Sequence, residues 1–139
     1  MALLPRKGLL AIAAVIDIAL HGKDRPVPAK MLADRHGLPA RHLEPVLQAL
    51  VRDGILKGIR GPRGGYELAR ERRRITADDI LRAAGTSEDE RRSSLTSELL
   101  KEVVQPAVTQ AERAFSAALR AINLDDLARR AERYRDRSH

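Results

Sequence analysis

VPAKMLADRHGLPARHLEPVLQALVRDGILKGIRGPRGGYELA, residues 27–69, decides the fold. Its apolar positions Leu32, Leu38, Leu43, Val46, Leu47 and Leu50 fall at helical spacing on either side of Gly37. Two short helices joined through a glycine share an apolar seam only by crossing steeply, and that crossing offers the second helix to a DNA major groove. Gly54 ends the second helix, because glycine adopts the left-handed conformation that a helix C-terminus often needs. Two β-prone runs follow, ILKGIR and YELA, joined by GPRGG. Ile55, Lys57 and Ile59 alternate with Leu56, Gly58 and Arg60, and Tyr66 shares a face with Leu68, so one side packs and the other stays wet. Pro62, Gly64 and Gly65 make a loop wider than a two-residue turn, with Arg60 and Arg63 at its shoulder and tip. The stretch reads as a winged helix-turn-helix with a basic wing.

The prolines refine the helix starts. Pro28 pre-sets the first turn of the first of these helices, and Pro39 does the same for the next, since a proline's missing N–H goes unpaired there anyway. Pro45 would lose a backbone bond inside a helix begun at Pro39, so the regular helix is expected to start near His42 or to bend in its first turn. Arg41, His42 and Glu44 then stand at the end that a recognition helix pushes toward base edges. Arg41 can bridge guanine O6 and N7 or grip a phosphate, and Glu44 can accept from the cytosine amino group.

Upstream, Lys7–Leu20 reads as a core helix with Leu9, Ile12, Ile16 and Leu20 on one face and His21-Gly22 as its stop. Lys7 near its start either reaches a phosphate or sits in solvent. The apolar run LLAIAAVIDIAL is too short to cross a membrane, contains Asp17 and lacks a small-residue cleavage site.

Composition sets independent limits. The 139 residues allow one ordinary domain and an appended helix or two, and one Phe, two Tyr and no Trp leave the core to Leu, Ile, Val and Ala. Residues 1–85 hold 16 Lys or Arg against 9 Asp or Glu, whereas residues 86–139 hold 10 of each, so the whole net charge of +7 lies on the winged-helix part. A basic surface of this kind favours polyanions, and its binding weakens steeply with salt. The chain has no cysteine, which excludes disulfides and thiolate metal sites and is compatible with the cytoplasm. His21, His36, His42 and His139 have no metal-ligand spacing. GPRGG lacks the Lys-Ser/Thr of a phosphate loop, and no motif pairs a nucleophile with a base, so no enzyme is expected.

Downstream, Thr76 with Asp79 forms a capping box, bracketed by Ile75 and Ile80, that starts a helix over 77–84. Asn123 with Asp126, between Ile122 and Leu127, repeats the device for a last helix toward Tyr134. RERRR at 70–74 is either a solvated charge run or a phosphate-contacting patch. GTSEDERRSS, residues 85–94, has no apolar residue and reads as a flexible linker. An apolar stripe resumes at Leu95 and continues beyond Pro106, which breaks or kinks the helix or begins a new one.

The run from Val27 to Ala69, above all LEPVLQALVRDGIL and RGPRGGYELA, resembles the Rrf-two family of bacterial winged-helix transcription regulators. The likeness extends more weakly to KGLLAIAAVIDIAL and ERAFSAALRAINLDDLA. It implies that Glu44 reads bases, that His42 replaces a common tyrosine, that Arg60 enters or borders the minor groove, and that the helix from Pro106 to Ala121 dimerises. Val108, Ala111, Phe115, Ala118, Leu119 and Ile122 are the dimerisation stripe, which otherwise packs on its own winged helix. Leu10 stands where relatives often have tyrosine, and Pro5-Arg6 where they often have a hydroxyl cap. Sensor members hold an iron-sulfur cluster with cysteines, where this chain has Glu88, Asp89, Glu90, Glu102 and Gln105, so no cluster or other cofactor is expected.

The expected fold is mainly α with a small β-hairpin wing and a long C-terminal dimerisation helix. Residues 1–85 are read as the DNA-binding domain, 86–94 as the linker and 95–139 as the helical dimerisation region. The expected function is a cytoplasmic, homodimeric, sequence-specific regulator of transcription, a repressor, acting on a near-palindromic site in double-stranded DNA. Its DNA-contacting residues would be Lys7, Arg41, His42, Glu44, Arg60 and Arg63. A small-molecule or protein effector is left open, and the alternatives are a protein-interaction adaptor or a nucleic-acid binder without sequence choice.

Overall fold

The computed structural model describes residues 6–85 and 97–137. Helix α1 spans Arg6–His21, α2 Ala29–His36 and α3 Ala40–Arg52. Strands β1, Leu56–Ile59, and β2, Gly65–Leu68, form the hairpin, and a 3-10 turn at Arg72–Arg74 leads to α4, Ala77–Ala84. A π-turn at Leu100–Val104 runs into α5, Gln105–Arg120, and α6 covers Leu124–Arg137. The expected linker at 86–94 lies outside the described residues.

The helix-turn-helix forms because two glycines stop its helices cleanly. Gly37 and Gly54 take left-handed backbone angles, φ +64° and +76°, that cost other residues more. Each follows a helix whose last carbonyls are closed by the next amides: Leu38 N bonds Ala33 O, and Ile55 N bonds Leu50 O, both at 3.0 Å. Leu32 of α2 and Leu43, Leu47 and Leu50 of α3 are fully buried in the common core.

Three features of the helices differ from the sequence reading. Pro28 and Pro39 are N-caps in extended conformation, one residue before the helices they were expected to begin. Helix α3 starts at Ala40 and contains Pro45, instead of starting near His42. Proline there deprives the Arg41 carbonyl of its helical donor, and because Arg41 and Pro45 are both exposed, water can satisfy it. On α1 the buried face is Ala11, Ala14, Val15 and Ile18, while Leu9 is 53% exposed and Ile12, Ile16 and Leu20 are half-buried. Helices α4 and α6 both pack on α1, and alanines at the contact let them approach closely.

The wing is antiparallel, with Leu56 opposite Leu68, Lys57 opposite Glu67 and Gly58 opposite Tyr66. The expected alternation holds only in part: Ile55 and Leu56 are both buried and Ile59 is 40% exposed, because the hairpin leaves the core toward its tip. Val27 adds a short third edge, exchanging two backbone bonds with Tyr66 at 2.8 and 2.9 Å.

Both helix starts coded by side-chain caps form. Thr76 and Asp79 complete a reciprocal capping box, and Asn123 Oδ1 accepts from the Asp126 amide at 2.9 Å. The two starts are also joined, since Ala77 N bonds Ile122 O and Leu124 N bonds Ile75 O. Leu124 and Ala128 thereby enter the same core as Ile75 and Ile80, so α6 packs on the winged helix. Pro106 is the second residue of α5, and the preceding π-turn lets the helical path pass through it without a break.

Candidate nucleic-acid interface

Helix α3 turns Leu43, Val46, Leu47 and Leu50 inward, which leaves Arg41, His42, Glu44 and Gln48 exposed along its outer side. The hairpin stands beside that face. Gln48 Nε2 donates to the Tyr66 hydroxyl of β2 at 3.3 Å, joining the outer side of α3 to the wing. Gln48, Tyr66 and Arg60, with Pro28 and Ala29 at the start of α2, line a groove of about 500 Å³ between helix and hairpin. Helix α3, through Gln48 and Val51, and Arg60 of the wing therefore line one groove.

The other expected contacts are distributed around it. Arg63 at the wing tip leans the other way, over a separate cleft lined by His21, Arg25 and Arg35. Lys7 is exposed in the first turn of α1. Among the described residues, no hydrogen bond or ion pair ties Lys7, Arg41, Glu44, Arg60 or Arg63 to another side chain, so the four cations remain open to a polyanion and the Glu44 carboxylate to a hydrogen-bond donor. The Gln48–Tyr66 contact was not anticipated from the sequence. The glutamine's place three and four residues beyond Pro45 and Glu44 on an amphipathic helix was the available signal.

The RERRR segment is held partly by backbone carbonyls at the end of α3 and by an acid of α6. Arg70 reaches the Gly54 and Asp53 carbonyls at 3.2 Å, and Arg72 faces Asp125 at 3.4 Å, while Arg73 and Arg74 are exposed. Helix α5 presents Val108, Ala111, Phe115 and Ala118 to solvent, whereas Leu119 and Ile122 are half-buried where its end meets the winged helix.

A family model described as Rrf2, Iron-dependent Transcriptional regulator, matches residues 4–130. The chain belongs to the Rrf2 family. The HTH-type transcriptional regulator IscR of Xenorhabdus nematophila is 36% identical over 86 residues, which is 62% of this chain and 52% of that protein. IscR of Yersinia enterocolitica is 35% identical over the same shares. The chain thus spans about half the length of the curated relatives it matches. Among solved structures, T. potens IscR superposes with a TM-score of 0.73 at 31% identity, covering 94% of this chain and 89% of that one. CymR, the global cysteine regulator of B. subtilis, superposes at 0.67 with 28% identity over 92% and 97% of the two chains.

The iron in the Rrf2 description finds no thiolate donors here. Clusters of iron and sulfide are held by cysteine thiolates, and this member has no cysteine in 139 residues. Among the described residues, no group of three or more His, Asp or Glu is arranged to hold a metal ion. The residues present do not fit the group.

Proposed function

We propose that this chain is a homodimeric, sequence-specific DNA-binding repressor that works without an iron-sulfur cluster. The observation that carries the reading is the groove in which Gln48 of α3 meets Arg60 of the wing, tied together by the Gln48–Tyr66 bond, with the exposed Glu44 and Arg41 on the turns of α3 that precede Gln48. On that surface the start of α3 enters a major groove, where Glu44 and Arg41 face base edges, and Arg60 follows into the adjacent minor groove. Lys7 and His42 border the same contact, and Arg63 adds a phosphate contact at the wing tip.

Dimerisation rests on α5. Val108 is 45% exposed and Phe115 36%, an apolar stripe that costs free energy in water and that a second copy would cover. Two copies related by a two-fold axis place two recognition helices in successive major grooves, so the preferred site is a near-palindrome. Occupying such a site blocks competing proteins, which makes repression the simplest output. The net charge of +7 supports the polyanion partner, and the absence of any cysteine supports cluster-free action.

Selection from a random DNA pool tests the reading. A repeated half-site separated by about one helical turn is expected. Recovery of sequences without a common motif would reduce the protein to a general binder, and recovery of no DNA would favour an adaptor. Transcription in vitro from a promoter carrying the recovered site should fall as protein is added, and a rise would replace repression by activation.

A further inference from the structure

The cleft under the wing tip has no place in the reading so far. It encloses about 810 Å³ between the end of α1, segment 24–28, α2 and the wing, within the range of small-molecule sites. Its lining is largely apolar, with Pro26, Val27, Pro28 and Met31, and it also includes Arg25, Arg35 and Arg63. The recognition helix contributes nothing to it. A DNA phosphate needs no apolar lining, whereas an organic anion with a hydrocarbon body does.

We propose that this cleft binds a small organic monocarboxylate with an apolar body, and that the bound carboxylate takes Arg63 away from DNA. The charge balance selects the ligand. Arg35 is already committed to Asp17, through Nε at 3.0 Å and Nη2 at 2.7 Å. Arg25 and Arg63 have no ion pair or hydrogen bond among the described residues, and both line the cleft. Together they form a two-armed clamp for one carboxylate. Asp24 in the same lining offsets one of the two positive charges and repels a second carboxylate, so dianions are disfavoured. His21, also in the lining, has its imidazole held below the ordinary value by partial burial and then by Arg35.

Regulation follows from Arg63 serving two anions in turn. The guanidinium that grips the ligand carboxylate is the one assigned to a phosphate in the DNA-bound state, so occupancy of the cleft and that contact exclude each other. This coupling rests on the DNA-contact reading of Arg63; the ligand site itself does not.

Hexanoate, with hexanamide as its uncharged counterpart at matched ionic strength, tests both halves. NMR titration of the DNA-free protein should show saturable shifts at residues 24–28, Met31 and Arg63 with hexanoate, and none with hexanamide. Arg25→Gln should abolish them. Saturating hexanoate should weaken binding to the DNA recovered from the random pool and lower its salt dependence, through the loss of one phosphate contact in each protomer. Arg25→Gln should keep the DNA affinity and lose the hexanoate effect. No saturable binding, or equal binding of hexanamide, overturns the ligand site. A loss of DNA affinity in Arg25→Gln without any hexanoate binding would make the cleft a phosphate contact instead. Hexanoate binding that leaves DNA affinity unchanged overturns the coupling to Arg63.

Discussion

The carboxylate of Asp17 on α1 accepts both Nε and Nη2 of Arg35 on α2, at 3.0 and 2.7 Å. Asp17 is 8% exposed and also lies 3.2 Å from Nε2 of His36, so one buried acid holds the last turn of α2 against the first helix. A planar fork of this kind fixes orientation as well as distance. The helix-turn-helix is thus anchored to α1 through the end of α2.

Asp17→Ala should lower stability by about 2 kcal/mol, below the cost of breaking a fully buried pair, because the freed guanidinium can turn to water. Urea denaturation gives the value. A change under about 0.5 kcal/mol would mean that the pair adds no more than an ordinary surface ion pair.

Thr76→Ala and Asn123→Ala should each cost about 1 kcal/mol, the usual loss for a side-chain cap. Their helix starts are linked through Ala77 N to Ile122 O and Leu124 N to Ile75 O, so the two losses should not add. A double-mutant cycle by thermal or urea unfolding measures the coupling. Simple additivity would show that the two starts act separately.

Glu44→Ala should change which bases are selected from a random pool more than it changes overall affinity. Tyr66→Phe removes the partner of Gln48 Nε2 and should loosen the wing against α3, broadening preference at the flanks that Arg60 reaches. Arg60→Ala should weaken binding most at A-T-rich flanks. An equal loss on every sequence would contradict minor-groove reading by Arg60, and an unaltered selection profile would count against base reading by Glu44.

Phe115→Glu places a charge in the middle of the exposed stripe of α5 and should convert a dimer to a monomer. Sedimentation equilibrium reads the mass, and affinity for a two-half-site fragment should fall toward that for a single half-site. An unchanged mass would place the interface elsewhere.

Stability should decline as pH drops below 6.5, the ordinary histidine value, in part because of His21. Burial and Arg35 lower the pKa of this imidazole in the fold, Arg135 adds to the effect and Asp17 opposes it. The unfolded chain therefore takes up a proton before the folded one does, and stability is lost as pH falls through the folded value. Comparing denaturation midpoints of the wild type and His21→Gln between pH 5 and 7.5 isolates the slope. Parallel curves would remove His21 from the account.

Local rules made the winged helix legible. The seam around Gly37, the Gly54 stop, the hairpin and both caps depend on residues within a few positions of one another, where spacing and propensity speak directly. The inner face of α1 was less legible, because periodicity favours large residues and Leu9 was counted ahead of Ala11 and Ala14. Helices on two sides reward the small residues instead. Pro45 misled for the converse reason: the rule against proline inside helices is local, whereas α3 is fastened by four apolar side chains to the rest of the molecule. The Gln48–Tyr66 bond joins residues 18 apart and the arginine-lined cleft brings Arg63 to residues 21–35, beyond the reach of any local pattern.

The π-turn ahead of Pro106 has a consequence for α5 that concerns phase. Counting back from Phe115 through Ala111, Val108 and Val104, the steps alternate between four and three as in a heptad, and the next place would fall on Lys101. A turn that takes up one extra residue hands that place to Leu100. Were the proline replaced and the turn to tighten, residues 97–100 would rotate by about 100° relative to α5 and a lysine would stand in the exposed stripe.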